Sequence, residues 1–91
     1  MAATAPPEFY FAAALRRART EAGLNQEELA LRIGVHASEI SSYESGKRSP
    51  QLWTIHRLAE GLKVHAWQLL WLAAQIESGA PWEEITWPPV D

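Results

Sequence analysis

The chain has 91 residues, a formal net charge of −3 and no cysteine. That length supports one domain able to fold without staples, and the absence of thiols excludes a disulfide framework and a thiolate metal site, in keeping with a reducing cytoplasm. The opening MAATAPPEFY has no basic stretch followed by a long apolar run, and the longest apolar patch, 67–74, is too short to span a bilayer, so the expectation is a soluble cytoplasmic protein with no membrane partner.

Residues 1–7, with Pro6 and Pro7, read as a flexible arm. A first helix is predicted from Glu8 to Ala22, with Phe11, Leu15, Ala18 and Ala22 at helical spacing and Gly23 as its stop. Asn25 then caps a second helix, and Glu28 three residues later completes the pattern of a capping box. Leu29, Ala30 and Ile33 face inward before Gly34 permits a tight turn. A third helix spans Ala37 to Ser45, anchored by Ile40 and Tyr43 and ended by Gly46. Pro50 sets the start of a fourth helix whose Leu52, Ile55, Leu58, Ala59 and Leu62 form an inward stripe, with Gly61 in its last turn.

The fifth helix, from Ala66 to Ser78, is apolar almost all round, more than one small domain buries by itself. Gly79 and Pro81 stop it, and the acidic, Pro- and Trp-rich remainder reads as irregular or as a short extended arm. The expectation is therefore an all-α domain over residues 8–79 between the arm at 1–7 and a C-terminal tail at 80–91. No repeat and no strand pattern is evident.

Residues 24–50, LNQEELALRIGVHASEISSYESGKRSP, carry the most specific signal. Two short helices meeting about a glycine turn form the geometry that places the second helix in the DNA major groove. Net charge alone counts against nucleic acid, but its distribution does not. Residues 16–48 hold six basic and five acidic side chains, whereas residues 77–91 hold Glu77, Glu83, Glu84 and Asp91 and no basic one.

These residues resemble the Cro/cI-type helix-turn-helix regulators, also called the xenobiotic-response-element family. The likeness runs from about Leu15 to Leu70, over half the chain. It rests on Arg19, Gly23-Leu24, Asn25-Gln26-Glu27-Glu28-Leu29-Ala30, Gly34-Val35, Ile40, Tyr43-Glu44, Gly46-Lys47 and Pro50 in register. The resemblance implies a five-helix, phage-repressor-like fold with the third helix as the reading helix, a repressor that binds double-stranded DNA as a homodimer without cofactor. It implies base contacts from Ala37, Ser38, Glu39 and Ser42. Phosphate contacts are expected from Gln26, His36, Ser45, Lys47 and Arg48, with Arg16 and Arg17 adding to them from the first helix. Gln26 is expected also to brace the third helix. Arg19 and Glu44 are expected to form a structural salt bridge. His36 departs from the family pattern, because a Ser or Thr usually caps that helix and imidazole lacks the short acceptor.

Five tryptophans are unusual for this size. Placing Leu69, Leu70 and Ala73 inside leaves Trp67, Trp71 and Ala74 as a second face, with Trp53 outward on the fourth helix. With Trp82 and Trp87 of the tail, these form the expected dimer or partner surface. The tail folding back on its own helix is the alternative.

Catalysis finds little support. His36, His56 and His65 have no metal-ligand spacing, and the Ser45–Ser49 stretch lacks the upstream glycine of a phosphate loop. An enzyme and a metal site are not expected. The rival reading is a helix-turn-helix interaction module whose Trp-rich fifth helix and acidic tail bind another protein, antitoxin-like or as a partner regulator.

Overall fold

The computed structural model describes residues 5–85. Five helices follow in chain order: α1 Pro7–Glu21, α2 Gln26–Ile33, α3 Ala37–Glu44, α4 Leu52–Leu62 and α5 Ala66–Glu77. A single 3-10 turn, Trp82–Glu84, comes after them. The fold is all-α, with no strand among the described residues.

Local chemistry sets the ends of these helices. Pro7 opens α1 where its missing N–H costs nothing, and Glu8 sits in the first turn, where the helix dipole favours an anion. Asn25 and Glu28 form a reciprocal capping box on α2: Asn25 Oδ1 accepts from the Glu28 amide at 2.7 Å, and Glu28 Oε1 accepts from the Asn25 amide at 2.9 Å. Gly34 ends α2 at φ 72°, a left-handed conformation that favours glycine, and so turns the chain into α3.

α1 packs along α5 and α3, α2 along α3 and α4, and α4 along α5. Their shared core is built from Phe11, Leu15, Leu29, Ile40, Tyr43, Leu58, Leu69 and Leu72. Where α2 crosses α4, each helix holds the other's end. Arg32 Nη1 donates to the Gly61 carbonyl at 2.9 Å, and Arg57 Nη2 donates to the Ile33 carbonyl. Gly61 itself is buried, and the helices approach closely across its bare Cα.

Several expectations from the sequence are corrected. Leu52 is not part of the inward stripe of α4; it stands exposed in that helix's first turn, and Ala22 is exposed beyond α1. On α5 the buried positions are Gln68, Leu69 and Leu72, so Leu70 faces out. Trp71 is half-buried against the core and does not share the exposed face of Trp67. A helix apolar on every side carries no periodic signal to fix its rotation, and packing against α1 and α4 decides it. The tail is not simply irregular: after the 3-10 turn, Ile85 buries its side chain in the core of its own chain. The side chain of Trp82, all of Trp87 and residues 1–4 of the arm lie outside the described residues.

Gly61 gives a direct test. An added Cβ would lie 2.7 Å from Ile33 Cγ2 and 3.0 Å from Leu29 Cδ1, both on buried side chains. Gly61→Ala gains up to about 1 kcal/mol in helix propensity. Overpacking costs about 1–3 kcal/mol, and the β-branched Ile33 has little rotamer freedom to yield. Thermal unfolding is expected to show a net loss of about 1–2 kcal/mol.

Candidate nucleic-acid interface

The carboxylate of Glu44, at the end of α3, joins three helices. Arg19 from α1 donates Nε to Glu44 Oε2 at 2.6 Å and Nη2 to Oε1 at 3.0 Å, and its Nη1 donates to the Leu24 carbonyl at 2.8 Å. Gln26, the first residue of α2, donates Nε2 to the same Oε1 at 3.0 Å. The two charged side chains retain only 11% and 4% of their exposure. Hydrogen bonding to Glu44 raises the Arg19 guanidinium above its usual range, against the opposing effect of burial, so its charge is firmly held.

This tie orients α3. Ile40 and Tyr43 turn inward, while Ser38 and Ser41 are exposed and Ala37, Glu39 and Ser42 are half-buried beside them. His36 precedes the helix in an extended conformation without a side-chain cap, and its ring is exposed. Apart from Glu39, the side chains on this face are short.

The loop after α3 is pinned by one carbonyl. Ser42 O accepts from Ser45 Oγ at 3.1 Å, from the Lys47 amide at 3.1 Å and from the Arg48 amide at 3.3 Å. Gly46 turns the chain at φ 77°, with the Phe9 ring of α1 3.2 Å from where a Cβ would stand. The loop is thus seated on an aromatic floor. Lys47 and Arg48 project from it into solvent, the Arg48 guanidinium 5.5 Å from the centre of the Tyr43 ring, in cation–π range. Beside the start of α2, a concavity of about 460 Å³ is lined by Arg16, Arg19, Asn25, Gln26, Glu27 and Ala37. Arg16 and the N-terminus of α2 favour an anion there, Arg19 being already paired with Glu44 and Glu27 opposing them.

Comparison with known proteins decides the family. A family model described as Helix-turn-helix matches residues 15–66, more than half of the chain. The chain belongs to this helix-turn-helix family, of the Cro/cI type. It is 48% identical over 48 residues to an uncharacterized HTH-type transcriptional regulator of Methanothermobacter thermautotrophicus, covering 53% of this chain and 70% of that protein. It is 44% identical over 50 residues to the cryptic phage CTXphi transcriptional repressor RstR of Vibrio cholerae, covering 55% of this chain but only 45% of the repressor. Among solved structures, the restriction-modification controller protein C.Esp1396I, a tetramer in complex with its natural 35 base-pair operator, superposes with a TM-score of 0.75 at 19% identity, over 81% of this chain and 97% of that one. At that identity the likeness is one of fold.

The structure places Ala37, Ser38, Glu39 and Ser42 on α3 and Ser45, Lys47 and Arg48 in the loop after it, with Gln26 at the start of α2 and Arg16 beside it. Arg17 does not join the others: it donates Nε to Glu21 Oε2 at 2.9 Å and Nη2 to the Ile85 carbonyl. Two features escaped the sequence reading. Ser41 is exposed one turn from Ser38, a position that helical periodicity alone would have placed on the outer face. Phe9 lies under the Gly46 loop, and no local pattern links residues so far apart.

Removing one member of the Glu44 tie strands the other's charge. Glu44→Gln is expected to lower unfolding free energy by about 3 kcal/mol in denaturant titrations. Adding Arg19→Met to it should recover part of that loss in a double-mutant cycle, because no buried guanidinium then lacks its partner.

Proposed function

We propose that this protein is a sequence-specific transcriptional repressor that reads the major groove with α3 as a homodimer. The observation that carries the reading is the Glu44 tie, which fixes α3 and the start of α2 as one rigid unit with the Lys47–Arg48 loop at its end. Rigid presentation of a helix and flanking cations is what groove reading requires. The names of the relatives support the same direction, RstR as a repressor and C.Esp1396I on its operator.

In this reading Ser38, Glu39 and Ser42, with Ala37, face base edges. Serine pairs with several bases, alanine makes apolar contact with a thymine methyl, and glutamate accepts from cytosine N4. Gln26, Lys47, Arg48, Ser45, His36 and Arg16 face phosphates. Gln26 keeps its amide oxygen and one N–H for other partners after its bond to Glu44. Arg17, engaged with Glu21 and Ile85, is left out of that set.

The dimer reading keeps the exposed Trp53 and Trp67 of the expected surface and takes Leu52 and Leu70 in place of the half-buried Trp71. Leu52, Trp53, Trp67 and Leu70 are exposed by 66%, 71%, 49% and 47%. Leu52, Trp67 and Leu70 line one groove of about 460 Å³ between α4 and α5 with Val64 and Ala66, and the His65 ring stacks against Trp67 at a centroid distance of 6.4 Å. An apolar patch of this kind marks a contact surface, and a two-fold operator requires the two reading helices of such a pair roughly one DNA turn, about 34 Å, apart. Pairing also offsets the modest charge of a single subunit by raising effective concentration.

Lys47→Ala is expected to weaken binding to all DNA sequences alike and to reduce the salt slope by about one unit, measured by fluorescence anisotropy across a salt series. An unchanged slope in a folded variant would remove Lys47 from the interface. A selection from randomised DNA with a Ser38/Glu39/Ser42 variant should return a different motif from the wild type, each good contact being worth about 1–3 kcal/mol. Recovery of the same motif assigns the readout elsewhere on α3.

Leu70→Glu is expected to give folded monomers with poor operator affinity, because pairing would bury a carboxylate. Wild type sedimenting as a monomer at tens of micromolar contradicts the homodimer and leaves the patch to a different protein partner.

A further inference from the structure

Next to the α4–α5 groove, and sharing Leu70 with it, a cleft of about 240 Å³ opens between the first turns of α1, the segment leading into α4 and the second half of α5. Its lining includes Phe11, Pro50, Ile55, Ala73 and Tyr10, together with two carboxylates, Glu8 and the exposed Glu77. No cationic side chain lines it, and among the described residues neither carboxylate has an ion-pair partner. Glu77 is moreover the last residue of α5, at the negative end of the helix dipole, and the last turn of that helix has no basic residue. The N-terminus of α1, beside Glu8, and the C-terminus of α5 offset each other there, so the two carboxylates set the sign of charge over an apolar floor.

We propose that this cleft binds a small organic cation: an ammonium group between Glu8 and Glu77, and an aryl or alkyl body against Phe11, Ile55 and Ala73. An anion is repelled by the two carboxylates, and a wholly apolar ligand leaves their charge uncompensated. The volume fits a body smaller than a drug-sized ligand. The half-buried Tyr10 ring adds a face able to attract the cation.

The cleft is lined in part by Ser49 and Pro50, which follow directly on Lys47 and Arg48. An occupant therefore bears on the segment that presents those two cations, and the site is suited to an effector. That consequence rests on the DNA-binding reading; the binding itself does not.

The test is made on the full chain without DNA. Calorimetric titration compares 4-phenylbutylammonium with its neutral alcohol and with 4-phenylbutyrate, while amide chemical shifts locate the bound probe. The ammonium is expected to bind one per chain, the alcohol about tenfold more weakly, and the carboxylate more weakly still. Shifts should centre on Tyr10, Ile55 and Ala73. Glu77→Gln and Glu8→Gln, each alone and together, should erase the preference for the cation while leaving the thermal midpoint nearly unchanged; because Glu77 is exposed, its single variant is a usable test even if the pair disturbs folding.

Equal affinities for ammonium and alcohol, or shifts centred elsewhere, overturn the proposal. So does probe binding that appears only as self-association is lost, which makes a second copy the natural occupant. Binding gained only on deletion of residues 2–5 makes the chain's own N-terminal segment the occupant. A separate anisotropy titration of operator DNA with and without the ammonium then reads the regulatory consequence, so failure of DNA binding and failure of amine binding are seen in different experiments.

Discussion

The buried carboxylate of Glu44 is the constraint on which the arrangement of the first three helices depends. A carboxylate removed from water is tolerated only when its lone pairs are met and its charge is balanced. Here Arg19 and Gln26 do both, from two different helices. The geometry of α1, α2 and α3 is therefore not adjustable by small slides, as an all-apolar contact would be. A shift in any of the three leaves a desolvated charge poorly matched. Directional bonding at this point gives the helix pair a single relative orientation, and recognition of a rigid duplex requires a rigid reader.

The loop beyond Glu44 extends the same logic by different means. One carbonyl, that of Ser42, gathers two amides and a hydroxyl, and an aromatic ring from α1 supports Gly46 from beneath. Lys47 and Arg48 are long and exposed, yet their backbone is held in place. In contrast, the face of α3 carries short hydroxyl and methyl groups. Such a face favours close approach and gives few strong contacts per subunit, which is why flanking cations and pairing of subunits have a large share in the proposed mechanism.

How far this was legible in the sequence depended on whether the signal was local. Asn25 and Glu28 lie three apart and announce a helix start, and Gly34 announces its end; α2 was therefore readable in full. Arg19 and Glu44 were readable through the family pattern, which records a contact between residues distant along the chain. The rotation of α5 was not readable, because leucine, tryptophan and alanine occupy every side of it and only its neighbours select Leu69 and Leu72 for the interior. Ile85 was missed for a related reason: a lone apolar residue among prolines, tryptophans and acids has no period. Its burial depends on the 3-10 turn bringing it back to the core. Leu52 matched the inward spacing but falls in the first turn of α4, past the edge of what the other helices cover.

The anchoring of Ile85 also bears on how a chain of net negative charge meets a polyanion. Arg17, which holds the Ile85 carbonyl, and Arg19, which holds Glu44, are two positions apart on α1, about 200° around the helix. The segment carrying Glu83 and Glu84 is therefore fastened on the side of α1 turned away from α3, while Lys47 and Arg48 extend from the end of α3. Charge separated in this way gives the molecule a permanent dipole. Under the proposed mode of binding, the field of a duplex exerts a torque on such a dipole before any contact forms, turning the cationic loop forward and the acidic segment back. The acidic residues that lower the overall charge thus become a means of orientation during encounter, an effect that fades as salt shortens the reach of the field.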